Sequence, residues 1–319
     1  MLTRRHFLAI SGASVLMPGP GLAATGIETL GGPAFGTYWR LTVPNAIAST
    51  VSRPQITAII ETVDRVFSPY REDSELTAIN RADTRDWLPV SSAFNAVLGH
   101  ALQIAHRSGG TFDPTIGPVV ARYGFGPIEA DAWGNYAQIG SGDNRVRKND
   151  PGLSLDLCGV AKGYALAAMA ANLERQGLTD FLLDLGGELM ARGVHPSGRD
   201  WQAGVEGPDG QLALGVRLDG RAIATSGIAA QSYGLPGQEI SHIINPLTQR
   251  PVSGATFSVT VLDHDAASAD GWATALMAMP FEKAIETAEL FDIDALVLVR
   301  DGNKVRALTS GNFADFLLT

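Results

Sequence analysis

Three segments of this chain carry side chains suited to chemistry on a phosphate or a metal ion. In LDLCGVAKGYA, residues 155–165, Asp156 precedes a turn at Gly159, and Lys162 falls in the first turn of an expected helix. A helix N-terminus with small residues favours phosphate, and a nearby lysine adds positive charge. Gly159 and Gly163 would equally serve close packing of helix on strand. In ADGWATAL, residues 269–276, Asp270 and Thr274 stand four apart, which puts them on one face of a helix. A carboxylate with a hydroxyl suits a hard cation such as Mg2+, which keeps waters and bridges substrate phosphates. The same aspartate could simply interact with the helix dipole beside an unrelated threonine. In SHIINPLTQRP, residues 241–251, His242 lies on an expected strand that turns at Asn245 and Pro246. Such a histidine can be a base, a phosphate donor or a buried structural residue.

Other signatures are missing. The chain has no GxSxG elbow, no phosphate-binding GxxxxGK[ST] loop, no GxGxxG after a strand, no HExxH and no CxxC. Its six histidines are scattered, with no two at metal-ligand spacing. The single cysteine, Cys158, allows no internal disulfide and sits in an apolar run, where it reads as a packed small side chain rather than a nucleophile.

The elements that must position these residues follow from periodicity. Ile56, Ile59, Ile60, Val63, Val66 and Phe67 mark one helical face over 54–67, with Pro54 in its first turn. Phe94, Val97, Leu98, Ala101, Ile104 and Ala105 mark a second, stopped by Gly109 and Gly110. SPYREDSELTAIN (68–80) and TFDPTIGP (111–118) read as loops. LSLDL (153–157) reads as a short strand running into a helix from about Val160 to Arg175, closed by Gly177. Strand signals then crowd together: 37–43, 181–185, 201–206, 214–218, 222–226, 241–246 and 257–262. Helices at 268–279 and 281–291 precede a terminal hairpin that pairs 295–299 with 304–308. Without a regular βαβ beat the fold class is α+β, as one continuous unit over 25–319.

The bulk composition agrees with a folded, acidic protein. The chain has 319 residues, is 45% hydrophobic and carries a net charge of −9, so it can bury a large core and lacks the basic face a nucleic-acid partner would need. Residues 1–24 read as a twin-arginine signal peptide. Arg4 and Arg5 precede Phe7, Leu8 and an apolar stretch broken by Pro18 and Pro20, and small residues at Gly21, Ala23 and Ala24 suit cleavage near 23–24. The expectation is Tat export to the periplasm. No cysteine lies near the cleavage region to anchor a lipoprotein.

Taken in order, FGTYW (35–39), SPYREDSELTAIN, TFDPTIGP, LDLCGVAKGYA, LLDLGGELMARG (182–193), ATSG (224–227), HIINPLTQRPV (242–252) and ADGWATALM (269–277) resemble the successive motifs of the ApbE family, FAD:protein FMN transferases. The resemblance covers most of the chain after the leader and implies an ApbE-like α+β flavin-binding fold. It implies that Phe35, Tyr70, Thr111, Phe112, Asp113, Asp156 and Lys162 contact FAD, with Tyr70 a stacking surface for a flat ring. It implies that Asp270, Thr274 and the Gly159 carbonyl hold Mg2+, that Ile243 or Ile244 lines the dinucleotide site, and that His242 is the candidate base beside the transferred phosphate.

The implied reaction is transfer of FMN from FAD to a Thr or Ser hydroxyl of an exported acceptor protein, a flavin-carrying subunit of a membrane redox complex, with AMP leaving. An FAD pyrophosphatase and a non-catalytic flavin-binding accessory protein for respiratory enzyme assembly are the alternatives. Asn245 and Gln249 stand where the family usually has Asp and Gly, and Ala273 stands where some relatives add a second acid. The stretch after Gly227 also departs from the usual pattern. These changes bear on the acceptor side and leave the metal pair intact.

Overall fold

Strands buried along nearly their whole interior have cover on both faces. Thr256–Asp263 and Asp294–Asp301 are such strands, and a computed structural model of the chain places both inside an eight-stranded antiparallel sheet. The residues described are 13–14, 26–228, 232–235, 238–302 and 304–318. Across the sheet the order is Lys304–Ser310, Asp294–Asp301, Thr256–Asp263, Ala222–Gly227, Glu188–Arg192, Phe181–Leu185, Thr37–Pro44 and Ile27–Ala34. Arg4, Arg5 and the cleavage region of the expected leader lie outside the described residues. Within 1–24 only Ala13–Ser14 is described, pairing with Val205 and Gly204.

Helices stack over this sheet in layers: Cys158–Arg175 and Ala266–Met277 lie on the strands, and Arg53–Phe67 and Ser92–Arg107 pack their apolar stripes on those helices. Arg53–Phe67 buries Ile56, Ile60, Val63 and Phe67, each worth about 1.5–3 kcal/mol when removed from water. Ser92–Arg107 buries all six residues expected of it. Its end is fixed by Gly109 and Gly110, both at positive φ, a conformation that spares only glycine a steric penalty. Cys158–Arg175 and Ala266–Met277 lie against each other and against the middle strands. No helix among the described residues is long and apolar enough to cross a membrane. The architecture is α+β.

The structure corrects several local expectations. SPYREDSELTAIN is not all loop, since Glu75–Arg81 is helical, started by Ser74, whose side chain accepts from the Thr77 N–H at 3.0 Å. TFDPTIGP runs into a short helix, Gly117–Arg122. LSLDL is not a strand: only Leu153 makes a bridge, to Ala132. Its backbone is served by a side chain instead. Asn80 Oδ1 accepts from Leu155 N–H at 2.7 Å, and Asn80 Nδ2 donates to Leu155 O at 2.8 Å. SHIINP is no single strand either. His242 sits at a bend between Gln238–Ser241 and the two-residue strand Ile244–Asn245, which pairs with Arg250–Pro251.

Candidate active site

A helix crossing that only glycine permits forms the floor of the site. On Cys158–Arg175, a Cβ at Gly163 would collide with the Ala266 carbonyl. On Ala266–Met277, a Cβ at Gly271 would lie 2.9 Å from Val160. Gly163, one of the two glycines singled out in the sequence, thus packs helix on helix rather than helix on strand. Close approach lets Asp270 Oδ2 accept a hydrogen bond from the Gly163 N–H at 2.9 Å. In a regular helix that N–H serves the carbonyl four residues back, here Gly159. Sharing it with a carboxylate leaves the Gly159 carbonyl with acceptor capacity to spare. A Cβ on Gly159 would lie 3.7 Å from Thr274 Cγ2 and 2.9 Å from the Phe112 ring, so the three are neighbours. Thr274 Oγ1 is 3.2 Å from Ser226 Oγ, on Ala222–Gly227.

Charge is concentrated at this floor. Asp270 is 4% exposed. Burial pushes its carboxyl up to about 7, with Glu188 adding to the shift and Lys162 and the Gly163 N–H opposing it. The Lys162 ammonium is ion-paired with Glu188. Burial works against that ammonium, but the carboxylates of Glu188 and Asp270 outweigh it and hold its pKa above the ordinary lysine value. Among the described residues no three His, Cys, Asp or Glu side chains group as a metal cage. The groups that the crossing brings into one neighbourhood carry oxygens: the Asp270 carboxylate, the Thr274 hydroxyl and the Gly159 carbonyl. That set fits a hard cation which takes its remaining ligands from water and substrate phosphate.

The rim carries different chemistry. Tyr70 is 70% exposed, a free aromatic face at the surface. Desolvation, with Cys158 and Asp156 nearby, pushes its hydroxyl pKa up and keeps it neutral. Asp156 Oδ1 accepts from the Cys158 N–H at 3.0 Å, at the start of the long helix. Cys158 corrects an expectation, because the residue is exposed rather than packed.

Phe35 occupies a two-residue hairpin turn with Gly36, at φ 47° and 75°. A bulky residue there is strained by about 1–3 kcal/mol, the kind of cost that clusters at functional sites.

The remaining positions fall around the helix pair. Thr111 Oγ1 donates to the Ala275 carbonyl at 3.0 Å, tying the 111–113 turn to the helix that bears Asp270. Phe112 is buried against Gly159. Both Asp113 oxygens are engaged locally, Oδ1 by the Thr115 N–H and hydroxyl and Oδ2 by the Tyr136 N–H, so its carboxylate shapes the turn. Ile243 and Ile244 are buried, leaving that segment little but backbone to present. The His242 ring meets the Phe125 ring edge-on at 6.1 Å. Asn245 Nδ2 donates to the Ala278 carbonyl at 2.6 Å, fastening the histidine segment to the end of the Asp270 helix. Gln249 lies at φ 57°, which accounts for the glycine usual at this position.

Residue-type reasoning passed over three participants. Glu188 and Ser226 lie inside motifs already singled out, yet a buried acid directly after Gly186-Gly187 in an apolar strand was itself a signal. Asn80 acts only through the backbone of a segment 75 positions away, which no local pattern reveals.

Comparison with known proteins gives the chain's relatives. The model of the ApbE family matches residues 35–297. A protein of Klebsiella pneumoniae (strain 342) named FAD:protein FMN transferase is 32% identical over 97% of each chain. One of the same name from Escherichia coli (strain K12) is 30% identical over 93% of this chain and 91% of its own. The solved structure of the flavin transferase ApbE from Vibrio cholerae superposes with a TM-score of 0.82 at 29% identity, covering 91% of this chain and 99% of that one. The apo form of the Pseudomonas stutzeri flavinyl transferase ApbE gives 0.79 at 26% identity, over 91% and 96% of the two chains. With a family model spanning most of its length and relatives aligned nearly end to end, this chain belongs to the ApbE family.

Proposed function

We propose that this protein transfers FMN from FAD to a Thr or Ser hydroxyl of an acceptor protein, with Mg2+ held by Asp270, Thr274 and the Gly159 carbonyl. The observation that supports the reading is a close crossing of two helices distant in sequence, which bonds the buried Asp270 carboxylate to the Gly163 N–H beside Lys162 and sets Gly159 next to Thr274. The names of the relatives support the same chemistry.

Tyr70 stacks on the flat flavin ring, while Asp156 and the 111–113 turn orient the dinucleotide. Lys162 places a fixed positive charge near the pyrophosphate. The acceptor hydroxyl oxygen bonds to the FMN-side phosphorus as the P–O bond to AMP breaks, and AMP leaves with the bonding pair. The hydroxyl proton goes to a ring nitrogen of His242, the candidate base. When bound, Mg2+ would neutralise the pyrophosphate charge and stabilise the leaving oxygen.

Purified protein incubated with FAD, Mg2+ and an acceptor peptide should yield covalent flavin by mass and one AMP per flavin. AMP and free FMN without covalent flavin would make the enzyme a pyrophosphatase instead, and no turnover at all would leave a flavin-binding accessory role.

The leader supports Tat export, with a periplasmic acceptor on a membrane redox subunit as the partner. Replacing Arg4 and Arg5 by Lys should leave the precursor in the cytoplasm. Unchanged export of that double variant in a strain without the Tat translocon would refute the route.

A further inference from the structure

We propose that Glu188 holds the Lys162 ammonium away from Asp270, so that the Asp270 carboxylate stays open to a divalent cation. This rests on the reading of Asp270 as a metal ligand and adds a residue which that reading does not use.

The geometry sets up a competition. Lys162 and Gly163 are consecutive, and the Gly163 N–H is bonded to Asp270 Oδ2. The lysine side chain therefore rises beside the carboxylate that would hold the metal. Two carboxylates act on the ammonium, those of Glu188 and Asp270, and among the described residues it is ion-paired with Glu188 alone. The hairpin register determines this. Glu188 lies opposite Leu185 across the Gly186-Gly187 turn, and Asp184, one residue earlier, points to the opposite face of the sheet.

Stability does not account for the pair. A buried ion pair is often no more stabilising than two apolar side chains of similar volume. Glu188 Oε2 is buried without a hydrogen-bond partner among the described residues, which adds a desolvation cost. What Glu188 does supply is a tether. Without its charge, the nearest partner left to a flexible, point-charge ammonium is Asp270, and an ion pair there would compete with Mg2+.

The test measures Mn2+ binding to the purified protein by EPR and calorimetry, without FAD. Glu188→Gln should weaken binding about tenfold, and Lys162→Gln/Glu188→Gln should restore it to within about twofold of the parent. Glu188→Asp keeps the charge but shortens the reach, so it should also bind weakly. Parental binding by Glu188→Asp would show that Glu188 acts by its field alone and would overturn the proposal, as would parental binding by Glu188→Gln. If Glu188→Gln does not fold, Lys162→Gln carries the test: it must bind Mn2+ at least as tightly as the parent, and weaker binding overturns the proposal. Asp270→Ala separates the two levels, because parental Mn2+ binding by that variant refutes the metal reading itself.

Discussion

The floor of the site and its rim are built on opposite principles. At the floor, Asp270, Lys162 and Glu188 are fixed by a helix crossing in which Gly163 and Gly271 leave no room for a methyl group. At the rim, Tyr70 is exposed, and the His242 segment hangs on a two-residue strand pair and the Asn245 side chain. Work on developing charge needs donors that do not move, and close packing supplies that rigidity. Recognition of a ring or a partner needs surface, and a surface held by local bonds can change without disturbing the core. Of the departures from the usual family pattern, Asn245 and Gln249 fall at the rim, whereas Ala273 is buried in the Asp270 helix at the floor.

Asp270→Ala should break the floor most severely. FMN transfer and FAD hydrolysis should fall about 10²–10³-fold while FAD still binds, because the lost ligand acts on charge at the bridging oxygen. Thr274→Ala should be milder, since water can replace a neutral hydroxyl. AMP release and flavin titration on both variants check this. Parental turnover by Asp270→Ala would remove the distinction between floor and rim.

Gly163→Ala should come next, destabilising the fold by about 3 kcal/mol as the added methyl pushes the helices apart. The same substitution at Gly220, where a Cβ meets nothing within 4 Å, is confined to the strain of its positive φ. Thermal melts of the pair report how far the crossing, rather than glycine in general, matters.

Tyr70→Ala sharpens the rim side. FAD affinity should drop about fivefold, the equivalent of about 1 kcal/mol of lost stacking, with the melting temperature unchanged. Unaltered FAD affinity would show that the flavin does not lie on this loop.

The smallest effect expected is a Mg2+ response of a degree or two in melting temperature, which depends on pH. Burial raises the carboxyls of Asp270 and Asp184 to about 7 and about 6, above their ordinary value. The folded state therefore binds more protons than the unfolded one between about pH 4 and 7, and metal-free stability should fall as pH rises through that window. Mg2+ should restore a degree or two at pH 7.5 and little at pH 5, where Asp270 is protonated. Asp270→Asn should abolish the Mg2+ response and leave the part of the slope due to Asp184. Differential scanning fluorimetry with and without Mg2+ reads both.

Much of this was legible in the chain itself. The apolar faces of 54–67 and 94–105 dictated their helices, because no other arrangement buries those side chains together. The spacing of Asp270 and Thr274 placed both on one helical face, and the order of eight motifs pointed to the family. Tertiary structure alone decided the rest. LSLDL looks like a strand, yet it has no strand partner and is held by Asn80 from a distant helix. Cys158 sits among apolar neighbours in sequence, yet opens onto solvent because its helix starts at the edge of the site. Gly163 and Gly271 show their purpose only when two helices meet. Glu188 finds Lys162 only through the register of a hairpin against a helix. Local pattern determines which face of an element is apolar, since burial acts on each residue separately. Which charged groups come to share a cleft depends on how whole elements cross, and that is settled by packing between residues far apart in the chain.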